Sequence, residues 1–131
     1  MVQKIEFVFI SLFFIFLSFY IVTFFKFEKL VESSKKLSTK LLVTSKKDIE
    51  LSKIQTFFFR VKKIVGIKSC LIKCLAMKLI YAYYGYQIQV ICGVCIDNNS
   101  SVDGHAWAEY EGKVISDNIE DIEGYVKSFE I

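Results

Sequence analysis

The stretch SCLIKCLAMKLIYAYYG (Ser69–Gly85) decides how this chain is read. Serine favours the cap position at a helix amino end, and glycine favours the position just past its carboxyl end. Between the two stand good helix formers with apolar positions at Leu71, Leu75, Leu79 and Ala82, so the spacing predicts a helix over Cys70–Tyr84. Next comes QIQVICGVCID (Gln87–Asp97), which alternates and is rich in β-branched residues. It predicts a strand, closed by the polar loop Asp97–Gly104. HAWAEY (His105–Tyr110) reads as a second strand, Glu111-Gly112 as a tight turn, and KVIS (Lys113–Ser116) as a third strand ending at Asp117. The expected core is therefore α+β, a helix packed on an antiparallel three-stranded meander. The acidic-apolar tail beyond Asp117 is expected to pack back as a short helix or coil without chemistry of its own.

Working outward, the 131 residues allow one small domain plus an appendage. A hydrophobic content of 53% with no proline is high for a soluble domain, and the excess is concentrated in one place. Phe7–Phe25 is uncharged throughout, interrupted only by Ser11, Ser18, Tyr20 and Thr23. Such a run is long enough to cross a hydrocarbon layer of roughly 30 Å as a helix. It lacks Gly and Ala, so no small-residue face for tight helix pairing is expected. A cleaved signal peptide needs a small-x-small site that the following KFEKLVESSKK does not offer, and a fully buried helix is hard to cover in so small a domain. The run therefore reads as a membrane anchor over residues 1–26. Lys26, Lys29, Lys35, Lys36 and Lys40 follow it, which orients the body toward the cytoplasm and toward anionic headgroups.

Residues 27–66 read as a lysine-rich helical connector. Apolar residues from Ile49 to Ile64 recur every three or four positions, with Asp48 placed to cap that helix and Gly66 to end it. The net charge of +3 is mostly the lysine excess. Arg60 is the single arginine, and neither aromatic interleaving nor a Gly-rich loop accompanies the lysines, so nucleic acid is not an expected partner. Four cysteines in a reducing compartment argue against a disulfide scaffold.

The chemistry is expected within residues 67–131. His105 is the only histidine and Trp107 the only tryptophan. Cys70 opens the predicted helix, His105 begins the second strand, and Asp117 closes the third, across the hairpin from His105. A free thiol ionises near 8.5, and a helix amino terminus with a neighbouring imidazolium lowers that to roughly 3.5–7.5. The first-turn amides can also meet an oxyanion. Cys70 thus reads as nucleophile, His105 as the group that takes and returns a proton, and Asp117 as the group that orients the imidazole.

At CLIKCL (Cys70–Leu75), YGYQ (Tyr84–Gln87), GV (Gly93–Val94), GHAWAE (Gly104–Glu109) and GKVISD (Gly112–Asp117) the chain resembles the cysteine peptidases that remove leader peptides in lasso-peptide biosynthesis. Those carry a transglutaminase-like domain related to the carboxy-terminal domain of the microcin J processing protein. The resemblance covers about residues 67–118. Lys73-Cys74 stands where the family has Arg-Ala, and Gln87 where proline is common. It implies a papain/transglutaminase-like core, a triad of Cys70, His105 and Asp117, and no cofactor or metal. It also implies a precursor peptide as substrate, a separate leader-recognition protein, an ATP-dependent macrolactam cyclase and an ABC exporter. An acyl transferase using the same triad, and a non-catalytic membrane protein keeping the fold, are the other classes open to this sequence.

Blander uses exist for the remaining residues. Cys74 is expected as a small core residue. Cys92 and Cys95 form a CxxC, but residues three apart in a strand face opposite sides, which disfavours a shared zinc. Trp107 shares His105's face of the strand and serves equally well as a wall of the site or as core filler. Glu109 lies on that face too, with no role assigned.

Overall fold

The structure, a computed structural model, describes residues 2–44, 49–67, 69–96, 102–116 and 122–131. Four helices come first: α1 (Val2–Phe24), α2 (Phe27–Thr44), α3 (Leu51–Val65) and α4 (Cys70–Tyr83). Four strands follow: β1 (Gln89–Ile96), β2 (Val102–Tyr110), β3 (Lys113–Val114) and β4 (Val126–Glu130). All strand pairs are antiparallel, in the order β3-β2-β1-β4.

α4 begins where the sequence predicts. Ser69 is extended, and its Oγ accepts a hydrogen bond from the Ile72 amide at 3.3 Å. Every residue from Lys73 to Ala82 is buried, a wider set than the stripe expected from Leu71, Leu75, Leu79 and Ala82. The sheet covers one side of α4, while α1, α2 and α3 pack on the others, and a helix enclosed in this way is apolar nearly all round. Lys78 is the exception that the fold accommodates. Its Nζ donates to the carbonyls of Ile88 and Ile131, both at 3.1 Å. Burial draws its ammonium below the ordinary lysine range, opposed by Glu130 and assisted by Lys35.

The meander forms as expected around Glu111-Gly112, whose φ angles of 50° and 82° match a two-residue type I′ turn. β3 is shorter than the predicted KVIS. After Val114 the Ile115 amide still donates to the Ala108 carbonyl at 2.9 Å, but the Ala108 amide donates to Ser116 Oγ at 2.7 Å instead of to a carbonyl. A side chain has replaced the backbone there, and the ladder stops. The tail corrects the sequence reading more substantially. It is not a short helix or coil but strand β4, paired with β1 through a register shift at Cys92/Gly93. Without it β1 would expose a row of unpaired amides and carbonyls. Exposed Lys127, Ser128 and Glu130 are typical of an edge strand, and this polar content hid it.

α2 runs unbroken through ESSKK because its polar side chains turn back on the helix, Ser34 Oγ donating to the Leu30 carbonyl at 2.7 Å. α3 starts at Leu51 with Glu50 in the cap position and no side-chain cap bond, whereas Asp48, the expected cap, lies outside the described residues. Gly66 does end it, in the left-handed region with φ 71°. In α1, Ile5–Phe24 is long and apolar enough to cross a membrane, with a mean hydropathy of 2.5. One point of its reading is overturned. Ser11 and Ser18 are fully buried on the same stripe as Phe7, Phe14, Ile15 and Ile21, and they supply the small-residue face that the composition was thought to lack. That stripe packs along α4, with Phe7 stacked on Tyr84 at 5.6 Å and Phe14 6.0 Å from Tyr83.

Candidate active site

Strand alternation divides β1 and β2 into two faces. Val90, Ala106 and Ala108, with Cys92, pack into the core beneath α4. On the other face lie His105, Trp107 and Glu109, covered by Tyr125 from the turn before β4. The His105 and Trp107 rings stack at 6.3 Å, and the Tyr125 ring lies 5.4 Å from His105 and 6.4 Å from Trp107.

The register of α4 is set by Cys74, whose thiol donates to the Ala106 carbonyl at 3.4 Å. Four residues later Lys78 reaches Ile88 near the start of β1, so α4 points its amino end toward the end of β1 and the start of β2. One helical turn beyond Cys74, a rise of about 5.4 Å, brings Cys70 to the level of the His105 end of β2. Cys70 is half-buried there. Its electrostatic influence reaches two groups. The Cys92 thiol is pushed up to about 11, first by burial and then by Cys70. The Tyr125 hydroxyl is pushed up to about 12, first by its hydrogen bond to Asp103 (2.5 Å), with burial, Cys95 and Cys70 contributing. Tyr125 thus links the two predicted residues, lying against the His105 ring and within the field of Cys70. Asp117, the predicted third member, lies outside the described residues.

Sequence reading gave the tail no chemistry and so missed Tyr125. The signal was Gly124, a turn residue followed at once by a short run able to form a strand, and the structure gives it a φ of 88°. Glu109 now has a partner set. The Trp107 indole N–H donates to its Oε2 at 2.8 Å, and Lys127 Nζ lies 3.5 Å from the same oxygen. Trp107 is both wall and filler, being buried itself while it stacks on His105. Gly93 has a steric reason: a Cβ there would sit 2.7 Å from Trp107 Cη2 and Cζ3. Cys92 and Cys95 face opposite sides, the first toward the core and the second toward Gly124 and Tyr125. Among the described residues no three His, Cys, Asp or Glu side chains are grouped so as to hold a metal ion. An apolar cavity of about 510 Å³ lies between Ile15, Phe16 and Phe19 of α1 and Val65, Gly66, Ile67, Ser69 and Ile72, on the α1 side of the amino end of α4.

Comparison with known families agrees with this architecture. A family profile for the transglutaminase-like superfamily matches residues 22–130. The chain belongs to the transglutaminase-like superfamily. The match opens near the end of α1 and takes in α2, α3, α4 and all four strands of the transglutaminase-like chain, whose class points to a thiol hydrolase or acyl transferase. No curated protein and no solved structure matches it.

Proposed function

We propose that this transglutaminase-like protein is a cysteine peptidase that removes the leader from a ribosomally made lasso-peptide precursor, at the cytoplasmic face of a membrane to which α1 holds it. The observation that carries this reading is the Cys74–Ala106 hydrogen bond, which registers α4 on β2 with Cys70 a turn nearer the His105 end. In this reading the Cys70 sulfur attacks the carbonyl that joins leader to core, and the thiol proton passes to His105. The C–N bond then breaks, His105 returns that proton to the departing core amine, and the leader is left as a thioester on Cys70. Water, deprotonated by His105, next attacks the thioester, releasing the leader carboxylate and restoring the thiol. The Ile72 amide is bonded to Ser69, which leaves the preceding first-turn amides of α4 to meet the developing oxyanion in this reading. Asp117 completes the triad by orienting His105. Leader recognition falls to a separate small protein, ring closure to an ATP-dependent macrolactam cyclase, and release to an ABC exporter.

The test is mass spectrometry of a precursor peptide encoded beside this frame, incubated with its recognition protein and the full chain. Wild type yields free leader and core, whereas Cys70→Ala yields neither. Intact precursor with the wild-type chain, or cleavage by Cys70→Ala, would overturn the reading. If an added primary amine is incorporated at the leader carboxyl in preference to water, the chain is an acyl transferase instead.

A further inference from the structure

α1 has two unlike faces. Its inner stripe is spent on α4, while its outer stripe, Phe9, Phe13, Phe16, Tyr20 and Phe24, recurs every three or four residues and stays exposed, Phe9 at 68% and Phe16 at 70%. An exposed aromatic stripe of this length needs an apolar partner. The patch continues onto the end of α3, where exposed Val65 shares a cavity wall with Phe16 and Phe19. A lysine borders the stripe at its carboxyl end, Lys29 Nζ lying 5.9 Å over the Phe25 ring, and on α3 Lys62 and Lys63 lie 5.6 Å and 5.4 Å over Phe59. Ammonium groups held over aromatic rings at the border of an apolar face suit an anionic headgroup layer, with the stems lying along the hydrocarbon boundary.

A helix docked in this way cannot also cross a bilayer. Its inner stripe packs on the carboxyl end of α4, Phe7 against Tyr84 and Phe14 against Tyr83, while Ile15, Phe16 and Phe19 share a cavity wall with Ser69 and Ile72 at the amino end. Crossing while docked would carry into hydrocarbon not only α4 but α2, packed on α4, with its exposed Lys29, Lys35, Lys36 and Lys40. Crossing while undocked would bare the Tyr83–Tyr84 end of α4 to water and leave Ser11 and Ser18 facing lipid. We infer that α1 lies in the plane of an anionic membrane surface, its Phe9–Phe24 stripe immersed and the domain riding on its inner face. In-plane helices ordinarily need a polar face of their own. Here the packed domain supplies it, which lets α1 itself be apolar all round. Because Phe16 and Phe19 also wall the apolar cavity against Ser69 and Ile72, that cavity borders the membrane. The inference does not depend on the peptidase reading.

The test uses the full-length chain with an epitope at either end, probed by protease from each side of the membrane. Both epitopes are expected on the cytoplasmic side, and an amino-terminal epitope cut only from the opposite side overturns the inference. A second measurement adds the purified chain to vesicles of phosphatidylcholine with or without phosphatidylglycerol. Binding is expected to favour the anionic vesicles, to weaken with salt, and to fall about ten-fold or more in Phe9→Glu/Phe13→Glu. That variant retains the wild-type near-ultraviolet circular dichroism, because both positions face outward. Undiminished binding by the double variant overturns the inference. So does a lipid-free dimer that the same variant dissolves, which would give the stripe to a second copy of the chain.

Discussion

The two faces of the β1–β2 pair are built from alternate residues of the same strands, yet they differ in kind. Toward α4 stand Val90, Ala106 and Ala108, small or branched and closed to water. Away from it stand His105, Trp107, Glu109 and Asp103, a stacked and hydrogen-bonded layer held by Tyr125 and Lys127. A shift of one residue along the strand thus moves from packing to chemistry. The sharpest way to break this division is to change neighbours. On the proposed role, His105→Ala lowers precursor cleavage on the order of a thousand-fold with little change in unfolding free energy. Ala108→Leu does the reverse, because Ala108 is fully buried under α4 and added methylenes there cost about 1–3 kcal/mol. Denaturant titration beside the cleavage assay reads both. A His105→Ala chain that loses stability as heavily as Ala108→Leu would mean that the outer face is structural as well.

The glycines of the strands sharpen the same comparison with a smaller effect. Gly93 faces Trp107, and an added methyl meets the indole at 2.7 Å and the Val126 carbonyl at 3.0 Å. Gly93→Ala is expected to destabilise by about 1–3 kcal/mol and to shift the emission of Trp107 as its ring leaves the His105 stack. At Gly104, on the alternate face, the nearest atom is the Gly93 carbonyl oxygen at 4.0 Å, and the same substitution is expected to change stability by less than about 0.5 kcal/mol. Equal effects at the two positions would remove the steric reason given for Gly93.

Much of this arrangement was legible in the chain because its signals are local. Ser69 and Gly85 bracket α4, Glu111-Gly112 forces the hairpin, and two-residue alternation places His105, Trp107 and Glu109 together. What was not legible depends on tertiary cover. The burial of α4 on all sides follows from three helices and a sheet meeting it, and the period of its own residues shows only one stripe. Ser11 and Ser18 look like interruptions until α4 is laid against them. β4 has the composition of an edge, and Tyr125 reaches the site only because that edge pairs with β1. The partners of Glu109 come from Trp107, two residues away, and from Lys127, eighteen residues on, and the second of these follows no short-range rule.

The smallest expected effect tests the inner face through its thiol. Cys92 lies under α4, and burial holds its thiol up to about 11 against an ordinary 9.0. The folded chain therefore keeps this proton more tightly than the unfolded one. That advantage is whole below pH 9 and is lost as the pH climbs through about 11, so it subtracts from stability across this window. Tyr125, raised to about 12, acts in the same direction at higher pH, and Lys78, lowered, acts in the opposite one. Both remain in Cys92→Ala, so the difference between wild-type and variant unfolding curves isolates the thiol. The stability of the wild type is expected to decline relative to Cys92→Ala between pH 9 and pH 11, measured by denaturant titration at several pH values. A difference that stays constant over this range would put the Cys92 sulfur in water, and the division of the strands into a packed face and a chemical face would fail at that residue.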